Sequence, residues 1–167
     1  MTVPNEIEDA LKVYEYVSAL PYVSSVMLAG HSQGGVVASM TAGELGSKIS
    51  RVVLLAPAAV LRDDAIRGNT MGAMYDPLDP PEYVPLFGNH KLGRNYIKTA
   101  FSLPIYETAA KYQGAAGVIH GTGDRGDPGV LAKPARQPDR GHDRAGLDRL
   151  PDLRPGHADR PAGAGTG

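Results

Sequence analysis

The run Val26-Met27-Leu28-Ala29 leads directly into Gly30-His31-Ser32-Gln33-Gly34, and Val36, Val37 and Met40 follow at helical spacing without a break. That order of strand, sharp turn and helix constrains the fold more than any other stretch of the chain. A Gly-x-Ser-x-Gly pattern suits a strained strand-to-helix turn that exposes the serine hydroxyl, and glycines two positions either side let the backbones pass closely. The five residues alone say little in a chain with 21 glycines. The apolar strand before them and the dozen or so helical residues from Gln33 give the pattern its weight.

A second apolar run, Val52-Val53-Leu54-Leu55-Ala56, matches the first, which is read as residues 26–30. Both suit strands buried on both faces of a parallel sheet. Ahead of them Ile7, Leu11, Tyr14, Val17 and Leu20 recur at spacings of three and four before Pro21. This predicts an amphipathic helix, with Asn5 and Glu8 placed as a capping box at its start. The order is then helix, strand, helix, strand. Residues 57–112 are rich in Pro, Tyr and Asn, with helical character around 94–102 and 105–112, and read as a cap insertion. Gly117-Val118-Ile119-His120 reads as a further strand. The expected fold class is α/β, one domain over residues 1–124 with a mostly parallel sheet, flanking helices and a small cap.

Composition changes at Asp124. Residues 125–167 hold eight Gly and six Pro, about a third of the segment, with no aromatic residue and no Glu. Such a stretch buries too little apolar surface to fold, and disorder is expected. A natural tail would have this composition; so would G- and C-rich coding DNA read in the wrong frame, the favoured reading. The Arg125-Gly126-Asp127 tripeptide is read as a chance product of that composition.

Seventeen Lys plus Arg against eighteen Asp plus Glu leave a net charge of −1, so no long-range field favours nucleic acid or an anionic membrane. Charge therefore announces no partner, and the small-molecule ester expected as substrate is read from the motif chemistry alone. The absence of cysteine rules out disulfides and fits a cytoplasmic location. No signal peptide or membrane span is read in the first thirty residues, which are broken by Lys12, Glu15 and Pro21.

In the expected turn, the Ser32 hydroxyl is a nucleophile for an acyl carbonyl, and the backbone N–H of Gln33 at the head of the following helix is an oxyanion donor. His31 is read as a packing residue, because an elbow sends adjacent side chains in different directions. Asp124, in the loop after the strand ending at His120, follows Ser32 in the chain order in which a triad acid follows its serine. This chemistry calls for no cofactor and no metal ion.

Gly30-His31-Ser32-Gln33-Gly34-Gly35-Val36-Val37-Ala38-Ser39-Met40, together with the blocks at 54–70, 103–112 and 118–124, resembles the cinnamoyl or feruloyl esterases, α/β-hydrolases with a small inserted cap. The similarity runs from about residue 5 to 125. It implies a partial α/β-hydrolase fold, a Ser-His-Asp triad with Ser32 as nucleophile and Asp124 as acid, and a cap that meets the ring of hydroxycinnamate esters. Asp64 and Tyr96 fall where the family places cap groups near the ring hydroxyl, while Met71 stands where some relatives have Gln. The family's opening strands, with the His-Gly loop that gives a second oxyanion N–H, have no counterpart before Asn5. The closing Asp-His block has none after Asp124, and His142 and His157 have no strand before them to place an imidazole. The chain as written is therefore expected to be truncated and inactive. A peptidase or acyltransferase of the same fold, and a non-catalytic remnant that binds ligands or partners, are the competing readings.

Overall fold

A computed structural model describes residues 1–122. Asp124, His142, His157 and the expected disordered tail lie outside the described residues. The elements run α1 (Val3–Ser18), β1 (Met27–His31), α2 (Gln33–Leu45), a 3-10 turn (Gly46–Lys48) and β2 (Arg51–Leu55). Then come α3 (Leu61–Arg67), β3 (Asn69–Thr70), β4 (Ala73–Met74), β5 (Tyr83–Pro85), β6 (Lys91–Gly93), α4 (Arg94–Phe101), α5 (Ile105–Ala109) and β7 (Ala115–Ile119).

The two apolar runs pair as parallel neighbours. Met27 lies opposite Arg51 and His31 opposite Leu55 in a five-residue ladder, and β7 pairs parallel with the other side of β2. The sheet order is β1-β2-β7. β1 and β2 each lie one residue away from the stretch expected, because the ladder takes in His31 and Arg51 beside the apolar runs, and β7 starts two residues ahead of the run expected at 117–120.

Burial on both faces does not hold. Leu28 and Gly30 are half-buried while Met27, Ala29 and His31 are exposed, and no residue of β7 is buried. The reason is that one face alone is covered among the described residues. Ala42 and Leu45 of α2 pack there with Tyr14 of α1 against Leu28, Val52 and Leu54. On the strands Met27, Val118 and Ile119 are each more than half exposed.

α2 is the pivot of the fold. Val36, Ala38, Met40, Thr41 and Ala42 are all buried, so the helix is enclosed on most sides. Val36 and Met40 meet Val3 of α1, Leu61 of α3, and Leu103 and Ile105 around α5. Small residues allow this density: a Cβ on Gly43 would overlap the Thr108 carbonyl of α5.

α1 starts at Val3, two residues before Asn5, with Thr2 as N-cap and Pro4 in the first turn, where its missing N–H costs nothing. The Thr2 hydroxyl donates to the Asn5 side chain at 2.6 Å, which replaces the expected Asn5–Glu8 box. Between β2 and β7 the chain builds three short helices and two small hairpins. Val84, Leu92 and Ile97 form a separate apolar cluster there, tied to the main core through Tyr96. α5 ends at Ala109, shorter than the segment expected to reach 112.

Candidate active site

At the end of β1 the chain turns into α2 through one residue, Ser32, at φ 53° and ψ −123°. That region is sparsely populated for an L-residue and costs on the order of 1–3 kcal/mol, so the surroundings must hold it. They do so through the backbone. The Ser32 N–H donates to the Leu55 carbonyl of β2 at 3.0 Å, and the Ser32 carbonyl accepts from Gly35 N–H at 3.0 Å and Ala58 N–H at 2.9 Å. The loop after β2 therefore straps the turn from the neighbouring strand.

The glycines around the turn play unequal parts. A Cβ on Gly30 would run into the Gly34 carbonyl, and a Cβ on Gly35 would come within 2.8 Å of the Pro57 Cβ. Gly34 itself faces open space. The close passage expected of Gly30 and Gly34 is thus Gly30 against the Gly34 backbone, with Gly35 as the second tight position.

Ser32 is exposed at this turn, and its hydroxyl does not cap α2. The Gln33 N–H is the first of the helix, where backbone donors have no intrahelical partner. It is the group expected to meet an oxyanion. The Gln33 side chain is engaged at both ends: its amide nitrogen donates to the two Glu6 carboxylate oxygens, at 2.8 Å each, and its amide oxygen accepts from the Tyr96 hydroxyl at 2.7 Å. Tyr96 is thereby brought to the elbow from α4. Burial, then the nearby Glu6 carboxylate, then Tyr75 and Asp64 push its phenol up to about 12.

Asp64, in the first turn of α3, is close enough to Tyr96 to act on its charge. Its carboxyl lies above the usual range because of burial, an effect opposed by Arg67 at 3.2 Å. Met71 sits with Gly72 at the tip of the β3–β4 hairpin, both at positive φ, 52° and 84°, and its side chain is largely exposed. His31 is exposed, so it is not the packing residue expected; strand alternation turns it to the uncovered face of β1. His120 directly follows β7.

The structure joins Ser32, Gln33 and Tyr96 in one connected group with Asp64 nearby. Sequence reasoning missed Glu6, whose only local mark is its place in the first turn of α1. A cleft of about 690 Å³ between the start of α1 and the β5–β6 hairpin has Tyr96 in its wall with Asn5, Lys91 and Arg94, and Ser32 is not among its lining residues. Among the described residues no three potential metal-binding side chains cluster, and no helix is long and apolar enough to cross a membrane.

The sequence matches no family model and no curated protein. In three dimensions the chain is similar to Est1E from Butyrivibrio proteoclasticus, with a TM-score of 0.74 and 27% identity over 78% of this chain and 54% of that one. The fold is a partial α/β-hydrolase, similar to the cinnamoyl and feruloyl esterases. The α/β-hydrolase likeness extends to Est1E with ferulic acid bound, again at a TM-score of 0.74 and 27% identity, over 78% of this chain and 53% of that one. The chain spans about half the length of Est1E.

Proposed function

We propose that this chain carries the nucleophile-bearing part of a serine carboxylic-ester hydrolase that acts on small acyl esters, hydroxycinnamate esters first among them. The observation that carries the reading is Ser32 itself, held exposed at φ 53° and ψ −123° between a parallel strand and a helix whose first N–H is Gln33. Strain of that kind persists where surrounding structure enforces it, and active sites are where it clusters.

In the proposed reaction the Ser32 oxygen attacks the ester carbonyl carbon and loses its proton to a histidine base, and the carbonyl oxygen becomes an oxyanion that accepts a hydrogen bond from Gln33 N–H. Collapse expels the alcohol, which takes the proton back from the base, and water then releases the acid by the same steps. Asp124 is proposed to orient the base, and Asp64 and Tyr96 to face the aromatic ring of the acyl group. Ferulic acid bound to Est1E supports the choice of substrate class.

The reading includes low turnover for these 167 residues by themselves, since they contain neither the Asp-His block nor the His-Gly loop of the resemblance. Loss of the base in comparable triads costs on the order of a millionfold, and loss of one oxyanion donor roughly a hundred- to thousandfold. The test exposes the protein and its Ser32→Ala variant to a fluorophosphonate probe for hours, maps the adducts by mass spectrometry, and measures hydrolysis of methyl ferulate. A slow adduct at Ser32, lost in the variant, is the expected result. Equal labelling of both proteins would refute the serine reading. Serine-dependent turnover near one per second would refute the low activity.

A further inference from the structure

The Gln33 side chain spans three helices, from Glu6 in the first turn of α1 to Tyr96 in α4, with Gln33 opening α2. Fixing a glutamine costs rotamer entropy, so a fully engaged one at a helix start needs compensating bonds. Here they have a fixed sense. A carboxylate accepts only, so the amide nitrogen must face Glu6, and the amide oxygen is left to take the Tyr96 proton. The Tyr96 phenol stays protonated across the ordinary pH range because burial raises it.

The peptide plane between Ser32 and Gln33 holds two relevant groups, the Ser32 carbonyl and the Gln33 N–H, which point in opposite directions across a trans peptide. Its oxygen end is pinned by Gly35 N–H and Ala58 N–H. Its other end is the Gln33 Cα, whose side chain is held by Glu6 and Tyr96. Both ends of the plane are thus tied by hydrogen bonds.

We propose that Glu6 and Tyr96 are positioning residues that hold Gln33 and thereby aim its backbone N–H at the oxyanion site. The chemistry rests on the ester-hydrolase reading, whereas the geometry stands apart from it.

The test uses the full 167-residue chain, ¹⁵N-labelled, with Glu6→Ala, Glu6→Gln and Tyr96→Phe. NMR reports the order of the Gln33 N–H, and fluorophosphonate labelling of Ser32 is timed in parallel. In Glu6→Ala the Gln33 N–H order parameter should fall from about 0.85 towards 0.6, while the Ala58 N–H stays rigid. Glu6→Gln, which still offers an acceptor oxygen, should restore most of it. Tyr96→Phe keeps its ring packing and should show an intermediate loss, which secures the result if Glu6→Ala does not fold. Labelling at Ser32 should slow at least about tenfold in Glu6→Ala, because a donor removed outright costs a hundredfold or more. An unchanged Gln33 N–H in Glu6→Ala and Tyr96→Phe would overturn the proposal, as would a loosened N–H with an unchanged labelling rate. If the parent chain does not label at Ser32, the ester-hydrolase reading fails, and the NMR result still decides whether Glu6 and Tyr96 aim the N–H.

Discussion

Two glycines of the elbow motif look alike in sequence and should respond oppositely to alanine. At Gly30 a Cβ would meet three backbone atoms, the carbonyl carbon and oxygen of Gly34 and the Gly35 nitrogen, the last at 2.7 Å. All three belong to the first turn of α2, and backbone does not swing aside as a side chain does. The helix has little room to retreat, because Val36, Ala38, Met40 and Ala42 are buried among α1, α5 and the sheet. Overpacking costs about 1–3 kcal/mol, and a rigid backbone collision lies at the upper end, about 3 kcal/mol. With an unfolding entropy near 2.1 cal/mol/K per residue, a body of about 120 residues loses roughly 4 °C per kcal/mol, so Gly30→Ala should melt about 12 °C lower. Gly34→Ala meets no atom within 4 Å and needs no positive φ. Alanine is the better helix former by up to about 1 kcal/mol, so that variant should melt at the parent temperature or up to about 4 °C above it. Thermal melts followed by circular dichroism at 222 nm, run side by side, decide the matter. A Gly30→Ala midpoint within about 3 °C of the parent, or an equal fall in Gly34→Ala, would refute the argument.

Ile97, 1% exposed at the centre of the cluster with Val84 and Leu92, should cost about 2–5 kcal/mol when cut to alanine, read as a fall in the urea midpoint. Tyr96, with its phenol pushed up to about 12, should titrate well above a free phenol near 10, read as the difference in phenolate absorbance at 295 nm between the parent and Tyr96→Phe. Its folded value lies above the unfolded one near 10, so its contribution, at most about 2.7 kcal/mol, is complete below pH 10 and is lost as pH rises from 10 to 12. Tyr96→Phe should flatten that alkaline decline, and an unchanged slope would count against the assigned burial. Arg62, only a quarter exposed, donates to the largely exposed Glu107 carboxylate at 2.9 and 3.0 Å, so Glu107→Ala should move the urea midpoint only slightly, with the difference shrinking in high salt.

How much of this was legible in the sequence depends on how far each feature reaches along the chain. The strands at 27–31 and 51–55 were legible because a parallel strand writes itself as an apolar run. Which faces are covered was not, since that depends on what packs against Leu28 or Val118 from elsewhere. The turn at Ser32 was legible because its flanking glycines and its strand-to-helix setting are local consequences of the strain. Positive φ at Ala56 and Met71 carries no such mark: neither is Gly or Asn, and each is imposed by its partners, Ala56 through its N–H to the Ile119 carbonyl and Met71 by a two-residue hairpin. Hairpins of two or three residues per strand are too short to show a period of two, so 57–112 read as an insertion without internal detail. Glu6 is the sharpest case. As a first-turn acid it was visible, but its bond to Gln33, 27 residues away, exists only because α1 lies against α2 through Val3 and Val36. A motif of five residues marks the strained turn at Ser32, while the groups that hold the side chain of the neighbouring Gln33 are set by helix packing that the motif does not encode.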